Sequence, residues 1–363
     1  MSRLRVMLIF GGRSAEHDVS RVTAVSVARA LDPARYEVIP VAITQDGRWL
    51  DALEARALIG TDVELPQGLP VSGEALATIG AAIAESGEVS AAAFGVDVVF
   101  PLVHGPFGED GTLQGLLELA DIPYVGSGVL GSAVGMDKVM MKRALVACGI
   151  DVADWLEFRD GDDIGIFCES VAAELGFPCF VKPANMGSSV GVSKAKNEAE
   201  LFNAINLATR YDEWVLVEET ISGREIEVAV LGDLDPQASR PGEVVPGAEF
   251  YTYADKYEDG AAQLIAPAEL TALEEVEVRS LALEAFAACR LAGMARVDFF
   301  LATEGRGFLV NEVNTIPGFT PISMYPRLWG ISGVDYPALL DQLIEIAIAR
   351  HARRATRAGR ARD

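Results

Sequence analysis

Asp298, Glu312 and Asn314 lie in two apolar stretches, ARVDFFLA (295–302) and FLVNEVN (308–314), joined by the short turn TEGRG. Alternate residues of a strand share a face, so Arg296 points with Asp298, and Glu312 points with Asn314. A turn this short predicts a hairpin. If the two polar faces coincide, two carboxylates, an amide oxygen and a guanidinium converge. Buried carboxylates repel one another and are costly without a countercharge. A cluster of oxygen ligands suits a hard cation such as Mg²⁺. The competing reading has these acids facing solvent, or paired with Arg296.

Further polar residues fall at strand ends and turns. In FVKPANMGSSVGVSK (180–194), Lys182 ends a strand and Gly187, Ser188, Ser189 and Gly191 follow. Small residues let backbone amides approach phosphate oxygens, and a lysine adds point charge. The order is not that of a Walker loop, and a plain hairpin turn is the alternative. In VLVEETISGREIE (215–227), Glu218 and Glu219 end an apolar strand and Glu225 follows a glycine. Acceptors there suit a nucleobase amino group or ribose hydroxyls; a solvated strand end is the commoner explanation. FGGRSAEHDVS (10–20) leads from a strand through a glycine turn into a helix N-terminus, but lacks G-x-G-x-x-G. Glu16 falls in that helix's first turn, where a carboxylate can be a dipole partner and nothing more. EFYTYADKYEDG (249–260) places aromatics around Lys256 with no helical or strand period, and reads as a flap over a site. His104 ends a strand, where histidine is usually structural.

The elements that must position these residues alternate along the chain. RLRVMLIF (3–10) predicts a strand, followed by a helix that Ser14 N-caps, with Val19, Val22 and Val25 on one face. YEVIPVAIT (36–44) and VDVVFPLVHG (96–105) are further strands, and a short one near 122–126 completes a parallel α/β unit. Residues 51–92, rich in Ala, Gly and Glu, predict surface helices and loops. Residues 127–219 read as a small α+β domain, and 220–363 as a third domain with a helix near 268–291 and a last one from Val334 or Asp335. The basic end, ARHARRATRAGRARD from Ala349, reads as a solvated or frayed tail.

Bulk properties narrow the function classes. Half of the 363 residues are hydrophobic, enough for large cores. The net charge of −23 disfavours nucleic-acid binding, which needs a basic footprint. It also means that an anionic substrate requires a locally positive site or a metal. No apolar run approaches the roughly 20 residues of a membrane span. The N-terminal run ends in glycines and reads as a strand, not as a signal segment. Cys148, Cys168, Cys179 and Cys289 are scattered without metal-ligand spacing, which implies free thiols in a reducing, cytoplasmic compartment.

In this order, GGRSAEHDVS, LVHGPFGEDGTLQGLLELADIPYVGSG, MDK, VKPANMGSSVGVSK, VEETISGREI, FYTYADKY, RVDFF and NEVNTIPGFTPISMYP span residue 10 to about 326. Together they resemble the D-alanine–D-alanine ligase family of the ATP-grasp superfamily. The resemblance implies a three-domain ATP-grasp architecture, α/β and α+β, with a Rossmann-like parallel-sheet domain at the N-terminus and ATP held between the second and third domains. It implies that Lys138 and Lys182 contact phosphates and that Ser188 and Ser189 lie in the loop over them. Glu218 would accept from the adenine amino group, with the backbone at Glu219 and Ile221 nearby, and Glu225 would hold the ribose. Asp298, Glu312 and Asn314 would bind two Mg²⁺, with Mn²⁺ as the alternative ion, and Arg296 would face the transferred phosphate. Glu16 would take the first substrate's ammonium, tied to Ser188 and Tyr257. Ser323, the Met324 backbone and Lys256 would grip the second carboxylate, near His104, and Gly318 would donate to the tetrahedral centre. The implied reaction joins two D-alanines through an acyl phosphate, for peptidoglycan precursors, in a cytoplasmic homodimer with no nucleic-acid or membrane partner. Related ligases use D-lactate or D-serine as second substrate; Tyr257 favours D-alanine. Other ATP-grasp carboxylate–amine ligases, and a nucleotide-binding regulator without turnover, are the competing readings.

Overall fold

The computed structural model describes residues 3–60, 95–247, 263–303 and 305–357. In chain order it contains β1 (Leu4–Gly11), α1 (His17–Ala30), β2 (Tyr36–Ile43), β3 (Trp49–Leu50), α2 (Ala52–Ile59), β4 (Val98–Pro101), α3 (Thr112–Leu119), α4 (Val129–Met136) and α5 (Lys138–Ala147). Then come β5 (Trp155–Arg159), α6 (Ile164–Glu174), β6 (Cys179–Pro183), β7 (Ser193–Ala195), α7 (Glu198–Ala208) and β8 (Trp214–Glu219). The rest are β9 (Gly223–Gly232), β10 (Gln237–Ala238), β11 (Gly242–Val245), β12 (Gln263–Ile265), α8 (Ala272–Ala288), β13 (Gly293–Ala302), β14 (Gly307–Asn314), α9 (Met324–Ile331) and α10 (Tyr336–Ala355).

Among the described residues these strands make three sheets. The first runs β3-β2-β1-β4, parallel apart from the short antiparallel edge strand β3. The strand expected near 122–126 is reduced to one parallel bridge, Val99 to Tyr124. The second sheet, β5-β8-β6-β7, is antiparallel. The third, β12-β11-β9-β13-β14 with β10 against β9, is antiparallel too. Within the described residues no helix is long and apolar enough to cross a membrane. All four cysteines are unpaired.

The period of two explains the apolar run of β1. Val6, Leu8 and Phe10 enter one core, while Met7 and Ile9 enter the other beside Leu113 and Leu117 of α3. A strand buried on both faces needs an apolar residue at every position. The first of these cores also contains Tyr325 and Leu328 of α9 and Leu339, Leu340 and Leu343 of α10. The chain's last two helices therefore close the face of its first sheet.

Two expectations are corrected. Helix α1 begins at His17 with Glu16 in the capping position, and no side chain caps it. Ser14 instead donates to the His104 carbonyl at 2.7 Å, because the chain turns there toward the end of β4. The buried face of α1 carries Ser20, Thr23, Ala24 and Val27, whereas Val22 is 58% exposed. Small residues allow α1 to lie close on β1, and Ser20 accepts from the Gly11 N–H at 2.7 Å.

The second correction concerns the basic end. Residues 349–355 are not a frayed tail: α10 continues to Ala355, because its buried stripe of Leu343, Ile344, Ala347 and Arg350 persists through them. Arg350 donates to the carbonyls of Gly126 and Tyr124 and stacks 5.1 Å from the centre of the Tyr124 ring. Arg354 pairs with Glu118 at 2.6 Å and Arg353 with Asp233 at 2.5 Å. Residues 358–363 lie outside the described residues. Removing the Arg350 donors leaves two acceptors unmet, at about 1–3 kcal/mol for a buried group. Arg350→Met is expected to lower the unfolding free energy measured in urea by about 2–4 kcal/mol. Equal midpoints for variant and parent would show that the apolar stripe alone holds α10.

Candidate active site

The β13–β14 hairpin forms as its turn predicts, and its register decides where the acids point. Val297 lies opposite Val313, and Phe299 opposite Val310, all four in the core beneath α8. Arg296 lies opposite Asn314, and Asp298 opposite Glu312. Between Asp298 and Phe299 the register slips by one residue, and Asn311 has no partner on β13. With strict alternation Phe308, Val310, Glu312 and Asn314 would share the apolar face. The bulge reverses the parity, so Val313 stays in the core while Glu312 and Asn314 turn outward beside Asp298.

The outward patch is a charge cluster. Arg296 donates through Nε and Nη2 to the two Asp298 oxygens, each at 2.7 Å. Its Nε lies 3.2 Å from Glu227 of β9, and Asn314 Nδ2 donates to Asp298 at 2.9 Å. Burial would lower the Arg296 pKa, but Asp298 and Glu227 outweigh it and keep the guanidinium charged. Pairing with Arg296 is thus real for Asp298, and the acids do not face open solvent. Among the described residues no three His, Cys, Asp or Glu side chains meet as a self-sufficient metal site. Two carboxylates and an amide instead fit the partial, all-oxygen set that Mg²⁺ takes when phosphate oxygens supply the remainder.

Across a cleft stand β6 and β8. Lys182 of β6 pairs with Glu218 of β8 and reaches Asn311 Oδ1 at 3.4 Å. Glu218 also lies 3.2 Å from Lys142 of α5. Burial pushes the Glu218 carboxyl up, but Lys182 and Lys142 outweigh it and hold it below the usual carboxylate range. Lys138 donates to the Met186 carbonyl at 2.6 Å. The Glu219 side chain is engaged by Arg306 at 2.7 Å and the Asp154 N–H at 2.8 Å. Ser188 and Ser189 hold φ of 50° and 58°, left-handed values that bend their loop over the cleft. That bend brings Ser188 Oγ to Glu16 at 2.5 Å.

Two cavities open off the cleft. One, of about 430 Å³, is lined by Lys182, Ser189, Glu218, Glu219, Ile221, Glu225 and Asp298. The other, of about 840 Å³, is lined by Glu16, His104, Asn314, Gly318, Ser323 and Met324. Lys138, Ser188, Arg296 and Glu312 border both. Every expected site residue within the described chain thus borders one cavity or the other. Lys256 and Tyr257 lie outside the described residues.

In the larger cavity His104 is buried, with Nδ1 2.9 Å from the Ile316 carbonyl. A carbonyl only accepts, so Nδ1 carries the hydrogen, and Nε2 has no partner among the described residues. Ser323 occupies the capping position of α9 but does not cap it; its hydroxyl accepts from the Thr320 N–H at 3.1 Å. Among the described residues no N-cap side chain takes the first N–H groups of α9.

Models of the D-ala D-ala ligase N-terminus and C-terminus match residues 5–127 and 144–345. The chain belongs to the D-alanine–D-alanine ligase family. Similar proteins include the D-alanine–D-alanine ligases of Geobacillus kaustophilus, 46% identical over 98% of this chain and 97% of that one, and of Chloroherpeton thalassium, 44% identical over 98% and 100%. Among solved structures, the D-alanine-D-alanine ligase from Coxiella burnetii is 36% identical with a TM-score of 0.79, covering 98% of this chain and 96% of its own. The VanG D-Ala:D-Ser ligase from Enterococcus faecalis is 32% identical with a TM-score of 0.78, covering 95% and 100%. These likenesses place the described sheets in the ATP-grasp fold of D-alanine–D-alanine ligases.

Four residues that line these cavities or contact their lining escaped the sequence reading. Glu227 alternates with Glu225 on β9, a period of two that pointed to it. Lys142 follows Lys138 by one helical turn. Asn311 is the bulge residue and carried no separate signal. Glu109, in GEDG, accepts from the Gly105 N–H at 2.6 Å and the Ile316 N–H at 3.0 Å, tying β4's end to the segment after β14. Burial, with repulsion from Glu16, raises its carboxyl pKa from 4.5 to about 8. Between those values the folded chain holds a proton that the unfolded chain has released, so stability falls as pH rises through that window. The slope is at most about 1.4 kcal/mol per pH unit. Urea midpoints at pH 6, 7 and 8 are expected to fall for the parent and to flatten in Glu109→Gln; parallel curves would mean that Glu109 ionises at an ordinary pH.

Proposed function

We infer that this chain is an ATP-dependent ligase that joins two D-alanine molecules into D-alanyl-D-alanine, releasing ADP and phosphate. The observation that carries the reading is the wall common to both cavities, where Arg296 and Glu312 border each of them. A carboxylate is a poor acyl donor, because oxide would have to leave. A phosphoryl group passed onto it across that wall makes an acyl phosphate with a good leaving group. Arg296 and Lys182 supply positive charge to the transferring group. In this reading Lys138 and the Ser188–Ser189 loop hold the phosphates, Glu218 accepts from the adenine amino group beside the backbone of Glu219 and Ile221, and Glu225 holds the ribose. Asp298, Glu312 and Asn314 would hold Mg²⁺, two ions in this reading with Mn²⁺ as the alternative, which neutralise phosphate charge when bound.

Glu16, fixed by Ser188, takes the first ammonium. The second carboxylate sits at the start of α9 on Ser323 and the Met324 N–H, with Lys256. His104 Nε2 offers the second amine an acceptor for its proton. The amine attacks the acyl phosphate, and Gly318 N–H donates to the tetrahedral centre before phosphate leaves. Water would destroy the acyl phosphate, so it must be excluded before the transfer. The reading keeps units 1–126, 127–219 and 220–363, and places a homodimer in the cytoplasm on the route to peptidoglycan precursors.

The test is ADP release with D-alanine alone, then with D-serine, D-lactate or L-alanine added. D-alanine alone is expected to suffice. Turnover that ignores D-alanine would reject the reading, and a requirement for D-serine would move the chain toward the activity named for the Enterococcus faecalis relative. ATP binding without ADP formation would favour a regulator. Glu312→Gln is expected to lower kcat by about 100-fold or more and weaken the dependence on Mg²⁺, with an unchanged circular dichroism spectrum. An unaltered kcat would remove Glu312 from the metal set.

A further inference from the structure

Lys142 is completely buried and borders neither cavity, yet it reaches the base of the smaller one through a single neighbour. Its Nζ donates to the Ala153 carbonyl at 3.0 Å, lies 3.2 Å from Glu218 Oε2 and sits 5.5 Å from the centre of the Trp155 ring. Glu218 is the group between two lysines. Lys182 takes its Oε1, while Oε2 is buried and receives no aligned hydrogen bond from any described donor. Burying an ammonium is expensive, and burial pulls Lys142 down while Glu218 restores only part. A methionine of similar length would pack at that position without the cost. The charge therefore needs a reason beyond packing.

Lys182 has two calls on its charge. In the described state it pairs with Glu218, but it also lines the cavity and lies within 3.4 Å of Asn311, toward the wall with Arg296 and Glu312. An anionic phosphate entering there draws the ammonium away from Glu218. If Lys182 were the sole countercharge, a buried carboxylate would then stand alone and take up a proton. A protonated carboxyl donates where a carboxylate accepts.

We propose that Lys142 is a positioning residue for nucleotide recognition: it holds Glu218 ionised and fixed from behind, so that Lys182 can turn to phosphate while Glu218 remains an acceptor for the base. The proposal rests on reading the smaller cavity as the nucleotide site. The charged groups concerned are Lys142 from α5 and Lys182 from β6, both facing Glu218, with Glu219 acting on Lys142 and with Glu225 and Glu312 acting on Lys182.

The experiment is calorimetric titration of ATP and of inosine triphosphate, whose six-position is an oxo acceptor, at pH 6, 7 and 8, without D-alanine. Lys142→Met is expected to weaken ATP binding at least tenfold at pH 7 and further at pH 6, where Glu218 without Lys142 is more protonated. Inosine triphosphate should lose less, so the preference for ATP narrows. Lys142→Arg should stay within threefold of the parent and keep its pH profile. Adding Lys142→Met to Glu218→Gln should cost nothing further, because the residue acts through Glu218. In turnover assays of Lys142→Met the KM for ATP should rise while that for D-alanine stays within twofold. Parent-like binding by Lys142→Met at all three pH values would overturn the proposal, as would losses that multiply in the double variant. If Lys142→Met does not fold, the double variant, which removes both charges, is expected to restore folding; a double variant that also fails would assign Lys142 to the fold alone. A parent that binds ATP but makes no ADP would sink the ligase reading and leave this one standing.

Discussion

Acidic side chains held close together on one sheet are the constraint around which the site is organised. Glu227, Asp298 and Glu312 come from three neighbouring strands; Glu227 and Asp298 pair with Arg296, which Asp298 holds through both oxygens, and Glu312 lies opposite Asp298. Like charges at this spacing in a part-buried patch are stable only with cations among them. Arg296 is the fixed one. In the proposed function a nucleotide's phosphates would bring negative charge to the same place, and divalent cations would complete the balance. On that reading a protein of net charge −23 would handle anionic substrates with countercharge that is local and partly imported.

The patch works because two other bodies are held against it. The antiparallel sheet of β5-β8-β6-β7 faces it across the cleft and brings Lys182 and Glu218 to the smaller cavity. The bridge between Val152 and Val310, with the Val310 N–H bonded to the Asp151 carbonyl at 2.9 Å, pins that unit to β14 immediately before the bulge. On the other side, the segment from Thr315 to Met324 borders the larger cavity and is anchored through Phe319. Its ring meets Phe100 at 5.8 Å, Tyr325 at 5.5 Å and Tyr336 at 5.7 Å. The cavity-lining residues of an irregular segment are thereby fixed to β4 and to α9 and α10.

Helix α10 follows from the same need. Its arginines bind the carbonyls and acids at the end of the first unit, Tyr124, Gly126 and Glu118, so the chain's last helix seals the sheet that its first strand began. Glu109 and His104 make the corresponding tie on the cavity side, both to the backbone of Ile316. Glu16 and Ser188 join α1 to the loop after β6. Each link crosses between parts of the chain distant in sequence, and each ends within reach of a cavity or of the elements that frame one.

Local patterning was sufficient for most elements. The double-sided apolar run of β1, the hairpin turn TEGRG, the start of the last described helix near Asp335 and the polar alternation of Arg296 with Asp298 are each fixed by neighbours a few residues away. The ordered motifs from Gly11 to Pro326 were enough to place the chain in its family. What only the tertiary structure decided depends on residues that meet across the chain. Strict alternation assigns Glu312 to the apolar face; only pairing with β13 creates the bulge at Asn311 that turns it outward. Composition makes Arg350 a tail residue, and only the carbonyls of Tyr124 and Gly126 make it a buried one. Lys142 reads as an ordinary helix lysine until Glu218 is brought against it. The physical reason is common to all three: a charge's environment is set by what folding packs around it, and sequence spacing records only the backbone's own period.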